Sequence, residues 1–150
     1  MRIEEEIKQS AFKSQLHKAN LNIMFTGGWL NARTNQVLKP FKLSPEQYNV
    51  LRILRGSPSG YANLCDIQQR MLDRMSNATR LVEKLRQKGL LTRELCPENR
   101  RKVDIRITPE GLALMDEIEG KLTEMYSQIQ GRLTEEEARQ LNDFLDRLRG

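Results

Sequence analysis

The change of hydrophobic period at Gly89 constrains this chain more than any other feature. Before it, Ala78, Leu81, Val82 and Leu85 fall at i, i+3, i+4 and i+7, the spacing of one buried stripe on a helix. After it, Leu91, Arg93 and Leu95 alternate with Thr92, Glu94 and Cys96, and Val103, Ile105 and Ile107 alternate with Lys102, Asp104 and Arg106. That is period two on both sides of a polar turn, Pro97-Glu98-Asn99-Arg100-Arg101-Lys102, and it predicts an antiparallel hairpin. Gly89 suits the left-handed position just past a helix end. A helix running without a linker into a hairpin leaves few architectures open.

The rest of the chain supplies helices. Residues 3–39 carry apolar positions at helical spacing, among them Ile3, Ile7, Ala11, Phe12, Leu16, Ala19 and Ile23. Gly27-Gly28 interrupts the pattern, at about 1 kcal/mol per glycine relative to alanine, so a bend or a junction of two helices is expected there. Ser44-Pro45-Glu46-Gln47 is a helix start with a capping box, and a short helix follows to about 55. Gly56-Ser57-Pro58-Ser59-Gly60 is a loop by composition. Leu64, Ile67, Met71 and Leu72 describe another short helix. Thr108-Pro109-Glu110 opens a long one whose stripe runs from Leu112 to Ile129. Gly131 ends it, and the capping box Thr134 to Glu137 starts a last helix carrying Ala138, Leu141, Leu145 and Leu148. The fold class expected is mostly α with a small β-hairpin: three short helices and a wing, a winged helix-turn-helix, between flanking helices.

Charge points to a use for that unit. Residues 70–106 hold eleven Lys or Arg against five Asp or Glu, whereas the whole chain is only +5, so everything outside the segment is slightly acidic. A basic surplus confined to one helix and one hairpin is what a reader of duplex DNA requires. The amphipathic helix alone fits an ordinary solvated face equally well; the basic hairpin directly behind it favours DNA. The N-terminal residues of such a helix meet base edges in the major groove. Arg suits guanine, Asn adenine, and Thr the thymine methyl. Ser76, Asn77, Thr79, Arg80 and Lys84 are therefore the candidate recognition residues, with Lys84 and Lys88 placed for phosphate or solvent. Arg100, Arg101 and Lys102 at the wing tip would meet phosphate or enter the minor groove. An aromatic content of 5% argues against a stacking platform for single strands.

The same residues resemble a known family. Thr79-Arg80-Leu81-Val82-Glu83-Lys84-Leu85-Arg86-Gln87-Lys88-Gly89-Leu90-Leu91-Thr92-Arg93 is similar to the recognition-helix block of the MarR family (multiple antibiotic resistance regulators). Asn99 to Gly111 resembles its wing and the element that follows, and Leu43 to Leu51 its second helix. The likeness extends over about 14–149 in element order and is strongest over 43–111. In that family the wing often reads Asp-Pro-x-Asp-Arg-Arg; here Cys96 and Asn99 stand at the two acidic places, which weakens any ion pair at the wing root but leaves Arg100 and Arg101. The resemblance implies a transcriptional regulator, a repressor released by a small-molecule effector, built as a homodimer on pseudo-palindromic double-stranded operator DNA; the sparse cysteines make a reduced, cytoplasmic chain the default. It implies N-terminal dimerisation helices over 1–42, the DNA-binding lobe over 43–107 and C-terminal dimerisation helices over 108–150, within one compact domain. Family effectors bind between the dimerisation helices and the DNA-binding lobe, where Phe25, Trp29 and Tyr48 are candidate lining residues; aromatic residues at helical spacing also fit a plain core.

Other signals are weaker. Two cysteines, Cys65 and Cys96, make no disulfide framework and no CxxC pair. Cys96 on the wing is an oxidant sensor only if its thiolate is favoured by Arg93 or Arg100; a tolerated cysteine fits better. Cys65 reads as a small buried hydrophobe. The single histidine, His17, has no partner pattern for a metal, and no cofactor is implied. No nucleophile–base set or glycine-rich phosphate loop is visible, so an enzyme is not expected. No apolar run is long enough to span a membrane. The competing reading is a helical homodimer used for protein contacts, with a winged domain that does not read DNA.

Overall fold

The computed structural model describes residues 1–96 and 99–150, with side chains described everywhere among these except at 96 and 99–102. The chain runs α1 (Ile3–Glu6), α2 (Gln15–Leu38), a 3-10 turn (Lys39–Phe41), α3 (Pro45–Arg55), β1 (Tyr61–Ala62), α4 (Leu64–Arg70), α5 (Ala78–Gln87), β2 (Leu91–Cys96), β3 (Asn99–Ile107), α6 (Pro109–Ser127) and α7 (Glu135–Arg149). The expected fold class, mostly helical with a small antiparallel sheet, is the one observed.

Capping chemistry sets most boundaries. Ser44 accepts from the Gln47 amide at 3.2 Å while Gln47 Oε1 accepts from the Ser44 amide at 3.1 Å, which closes the box the sequence predicts. Thr134 and Glu137 do the same for α7. Thr108 caps α6 by accepting from the Gly111 amide at 3.0 Å, and its hydroxyl donates to the Gly89 carbonyl at 2.8 Å. Gly89 takes φ 73°, a backbone state that only glycine adopts without strain.

The N-terminal helix does not break at Gly27-Gly28. Helix α2 passes through both, and the interruption lies earlier, between Lys8 at φ 52° and the Ser14 cap. A mid-helix break would strand about four amides and four carbonyls, more than two exposed glycines cost. Ser14 accepts from the His17 amide at 3.1 Å; that cap is the sequence signal the apolar pattern obscured. Two further departures follow. The segment 56–63 contains a short strand, β1, pairing Tyr61 with Arg106 and Ala62 with Ile105, so the sheet has three strands in the order β1-β3-β2. Leu72 is not on a helix: α4 ends at Arg70, Met71 is buried, and Leu72 projects into solvent.

One core joins the winged unit to α2 and α6. Leu38, Val50, Leu51, Leu54, Ile67, Val82, Leu85, Leu91, Ile105, Met115 and Ile118 are each almost fully buried. Arg55 of α3 pairs with Glu119 and, at 3.7 Å, Asp116 of α6, and the Glu119 hydrogen bond raises the Arg55 pKa above its ordinary value. By contrast α7 buries no residue. Its Leu141, Phe144, Leu145 and Leu148 face Leu16, Ala19, Ile23 and Leu30 of α2 across an apolar groove of about 700 Å³.

Candidate nucleic-acid interface

Helix α5 forms because its apolar stripe has a core to enter. Ala78, Val82 and Leu85 are buried and Leu81 half-buried, against α3, α4 and β2. The stripe fixes the rotation of the helix, so the opposite face is solvent-exposed: Asn77, Thr79, Arg80 and Lys84 all lie on it. The structure thus brings four of the five expected recognition residues to one exposed surface. Ser76, the fifth, is half-buried in the preceding turn, where its hydroxyl bonds Asp73 Oδ2 at 3.2 Å.

Asn77 has a second task. It is the cap of α5, its Oδ1 accepting from the Arg80 amide at 3.0 Å. A bidentate contact to adenine uses both the oxygen and the nitrogen of the amide, and here the oxygen is engaged, so only Nδ2 is available to a base edge. The cap's sequence signal is an Asn directly before a helix-period run.

The cations of α5 divide by partner. Arg86 makes a two-pronged contact to Glu83 at 3.0 and 2.8 Å, which holds the Glu83 carboxyl below its ordinary pKa. Lys88 donates to the Lys42 carbonyl. Arg80 and Lys84 make no ion pair or side-chain hydrogen bond among the described residues. Lys84 instead lines an open cleft of about 580 Å³ with Lys39, Lys42 and Ser44. This cationic flank is scattered from Lys39 to Lys84 in the sequence, and only the fold assembles it.

Strands β2 and β3 pair from Leu91↔Ile107 to Leu95↔Val103, after which the register shifts and Cys96 pairs with Asn99. The backbone of Arg100, Arg101 and Lys102 belongs to β3, on the stretch between those two partners; their side chains, and that of Cys96, lie outside the described residues. Arg106 stacks its guanidinium over Tyr61 at 4.4 Å, fastening β1 to the base of the hairpin.

The three aromatic candidates for an effector pocket do not meet. Phe25 and Trp29 line a cleft of about 230 Å³ with Met1, Ile3, Thr26 and Arg132, and Arg33 lies over the Trp29 ring at 5.0 Å. Tyr48 is absent from that lining. It packs against the core from α3, where burial, then Glu119, raises its hydroxyl pKa. The first two lie on α2 beneath the N-terminal segment, one helix away from α3. Cys65 is exposed, not buried: α4 buries Ile67, which turns Cys65 outward, and Gln69 Nε2 contacts its Sγ at 3.3 Å. Among the described residues no group of three or more His, Cys, Asp or Glu side chains gathers as a metal site, and no helix is long and apolar enough to cross a membrane.

Three consecutive short helices with a buried stripe on the third, followed by a basic antiparallel hairpin, define a winged helix-turn-helix. The sequence model of the MarR family matches residues 43–103, from just ahead of α3 into the wing. The chain is 30% identical over 115 residues to the HTH-type transcriptional regulator PecS of Dickeya dadantii, covering 76% of this chain and 69% of that one. It is 29% identical over 110 residues to the homoprotocatechuate degradative operon repressor of Escherichia coli, covering 73% of each. The crystal structure of a MarR transcription factor from Planctomyces limnophilus superposes with a TM-score of 0.66 at 29% identity, covering 91% of this chain and 98% of that one. The chain belongs to the MarR family of transcriptional regulators.

Proposed function

We propose that this chain is a sequence-specific repressor that binds pseudo-palindromic operator DNA as a homodimer and is released by a small-molecule effector. One observation carries the reading: the face of α5 opposite its buried stripe presents Asn77, Thr79, Arg80 and Lys84 to solvent beside a basic hairpin. Arg80 reads a base edge, guanine being the match for its guanidinium. Asn77 reaches a base through Nδ2, and Thr79 meets a thymine methyl or a phosphate. Ser76 acts through the turn it braces. Lys84, with Lys39 and Lys42, meets the backbone, and Arg100, Arg101 and Lys102 of the wing meet phosphate or the minor groove.

The working division is a reader over 43–107 carried between dimerisation helices over 1–42 and 108–150. Because Leu38, Met115 and Ile118 share the core of the reader, effector binding near α2 has a packed route to α5. The Phe25–Trp29 cleft is the effector site this reading favours, without Tyr48. The role involves no catalytic step and no cofactor, and places the protein in the cytoplasm with the DNA it reads. Selection of bound duplexes from a random pool tests it. The expected product is a two-fold related pair of half-sites about one helical turn apart, roughly 34–36 Å or a multiple. Recovery of no enriched sequence, with binding that is weak and equal across duplexes, overturns it in favour of a helical dimer serving protein contacts.

A further inference from the structure

The turn between α4 and α5 carries the two most exposed large apolar side chains in the interior of the chain, Leu72 at 83% and Met75 at 92%. They are not on a loose loop. Met71 anchors one end in the core, 4% exposed, and the Leu72 amide donates to Oδ1 of the buried Asn49 at 2.8 Å. Gln68 holds the other end: its Nε2 donates to the carbonyls of Arg74 and Ser76, both at 2.9 Å, and its Oε1 accepts from the Ala78 amide at 3.1 Å. Asp73 closes the middle, accepting from the Met75 amide at 2.9 Å. A turn fixed at this many points cannot fold its apolar groups back onto the core. It holds them in solvent on the turn that leads straight into the Asn77 cap of α5, five and two positions ahead of that residue.

We propose that Leu72 and Met75 are specificity residues that contact thymine methyl groups in the major groove. The inference rests on the operator-binding reading above. The thymine methyl is the apolar landmark on the groove floor, and whatever brings the start of α5 to base edges brings this turn with it. Methionine suits the task because its unbranched thioether adapts to the position of a small apolar group. Arg74, between the two, supplies the charge that a phosphate beside the groove attracts.

The test uses the operator recovered by selection and replaces its thymines one at a time with deoxyuridine, which removes the methyl group and leaves base pairing intact. Binding is measured for the parent, Leu72→Ala and Met75→Ala. At one or two thymines in each half-site the parent is expected to lose about fourfold in affinity, the equivalent of one methylene taken from water. The matching variant loses a similar factor on the thymine operator and then ignores the deoxyuridine exchange at that position. Its slope of log affinity against log salt stays at the parent value, because no counterion is involved, whereas Arg74→Ala makes the slope shallower. Since the exchange alters only the DNA, a folding defect cannot imitate its effect on the parent. A parent indifferent to every exchange, or variants as sensitive as the parent, overturns the inference while leaving operator binding intact. Failure of the parent to enrich any duplex overturns the operator-binding reading itself, and this inference with it.

Discussion

Gly111 lies against Leu90 so closely that a Cβ at position 111 would stand 2.3 Å from the Leu90 carbonyl oxygen and 2.7 Å from Ile107 Cγ1. The first turn of α6 is thereby seated on the exit of α5 and the end of β3, where the Thr108 hydroxyl also reaches the Gly89 carbonyl. The contact is mostly with backbone, which cannot rotate away. Gly111→Ala should destabilise the fold by about 1–3 kcal/mol, the usual range for overpacking, as measured by chemical denaturation. It should also lower operator affinity by moving α5. A variant with parental stability would show that α6 slides freely over Leu90.

Asn77 combines a cap with a base contact, and the two separate by substitution. Asn77→Ala should lower stability by about 1 kcal/mol and also weaken operator binding. Asn77→Asp keeps the capping oxygen, so its melting temperature should stay near the parent, while its carboxylate repels phosphate and lacks the donor for a base. Equal stability of all three proteins would remove the cap from the account. Equal affinity of the parent and Asn77→Asp would remove Asn77 from readout.

Much of this was legible because local chemistry and tertiary packing agree. The Ser44 and Thr134 boxes, the Ala78–Leu85 stripe and the alternation around 91–107 each name an element through residues a few positions apart, whatever that element later packs against. What escaped depended on distant partners. Strand β1 is two residues long and exists because Arg106 and Ile105 stand opposite Tyr61 and Ala62. Leu72 carries the apolar signature of a helix face, yet Asn49, 23 positions away, draws its amide into a turn instead. The cleft of Lys39, Lys42 and Lys84 has no signature in order along the chain. Phe25, Trp29 and Tyr48 shared only residue type, and helix direction separated them.

Arg101→Ala should weaken binding to specific and unrelated duplexes alike, and should reduce the salt slope by about one. Arg80→Ala, in contrast, should cost about 1–3 kcal/mol on the selected operator and relax base preference at one position. Titrations at two salt concentrations on operator and mixed duplex separate them. Parallel slopes for Arg101→Ala and the parent would show that this side chain does not touch phosphate.

The N-terminal segment is strapped to α2 by charge. Glu4 pairs with Lys18, and the Lys18 ammonium also lies over the Phe12 ring at 5.6 Å. The Lys18 hydrogen bond holds the Glu4 carboxyl below its ordinary pKa. A lowered folded-state pKa means the contribution is present above the ordinary carboxylate range and is lost as pH falls through it toward the folded value. Buried Ile3, next to Glu4, lines the cleft with Trp29, the single tryptophan of the chain. Acidification should therefore expose Trp29 and shift its emission to the red. Glu4→Gln should show the shifted emission already at neutral pH and little further change on acidification. Identical emission from both proteins across the titration would show that another contact holds the strap.

Helix α7 buries no side chain within one chain. It has fifteen residues, a length at which an isolated helix is marginal in water. Its Phe144 remains 57% exposed within one chain. The apolar groove is lined by α7 and by Leu16 and Ile23 of α2, so a second copy placed there covers the first long helix and the last helix at once and sets the spacing of the two α5 helices. Phe144→Glu should give monomers by sedimentation at concentrations where the parent is a dimer. Operator affinity should fall about a hundredfold or more, because the second half-site is no longer bound intramolecularly. Should α7 itself unravel in that variant, Leu16→Glu probes the same groove from α2 and should give the same result. A Leu16→Glu protein that remains dimeric and keeps parental operator affinity would place the dimer seam elsewhere.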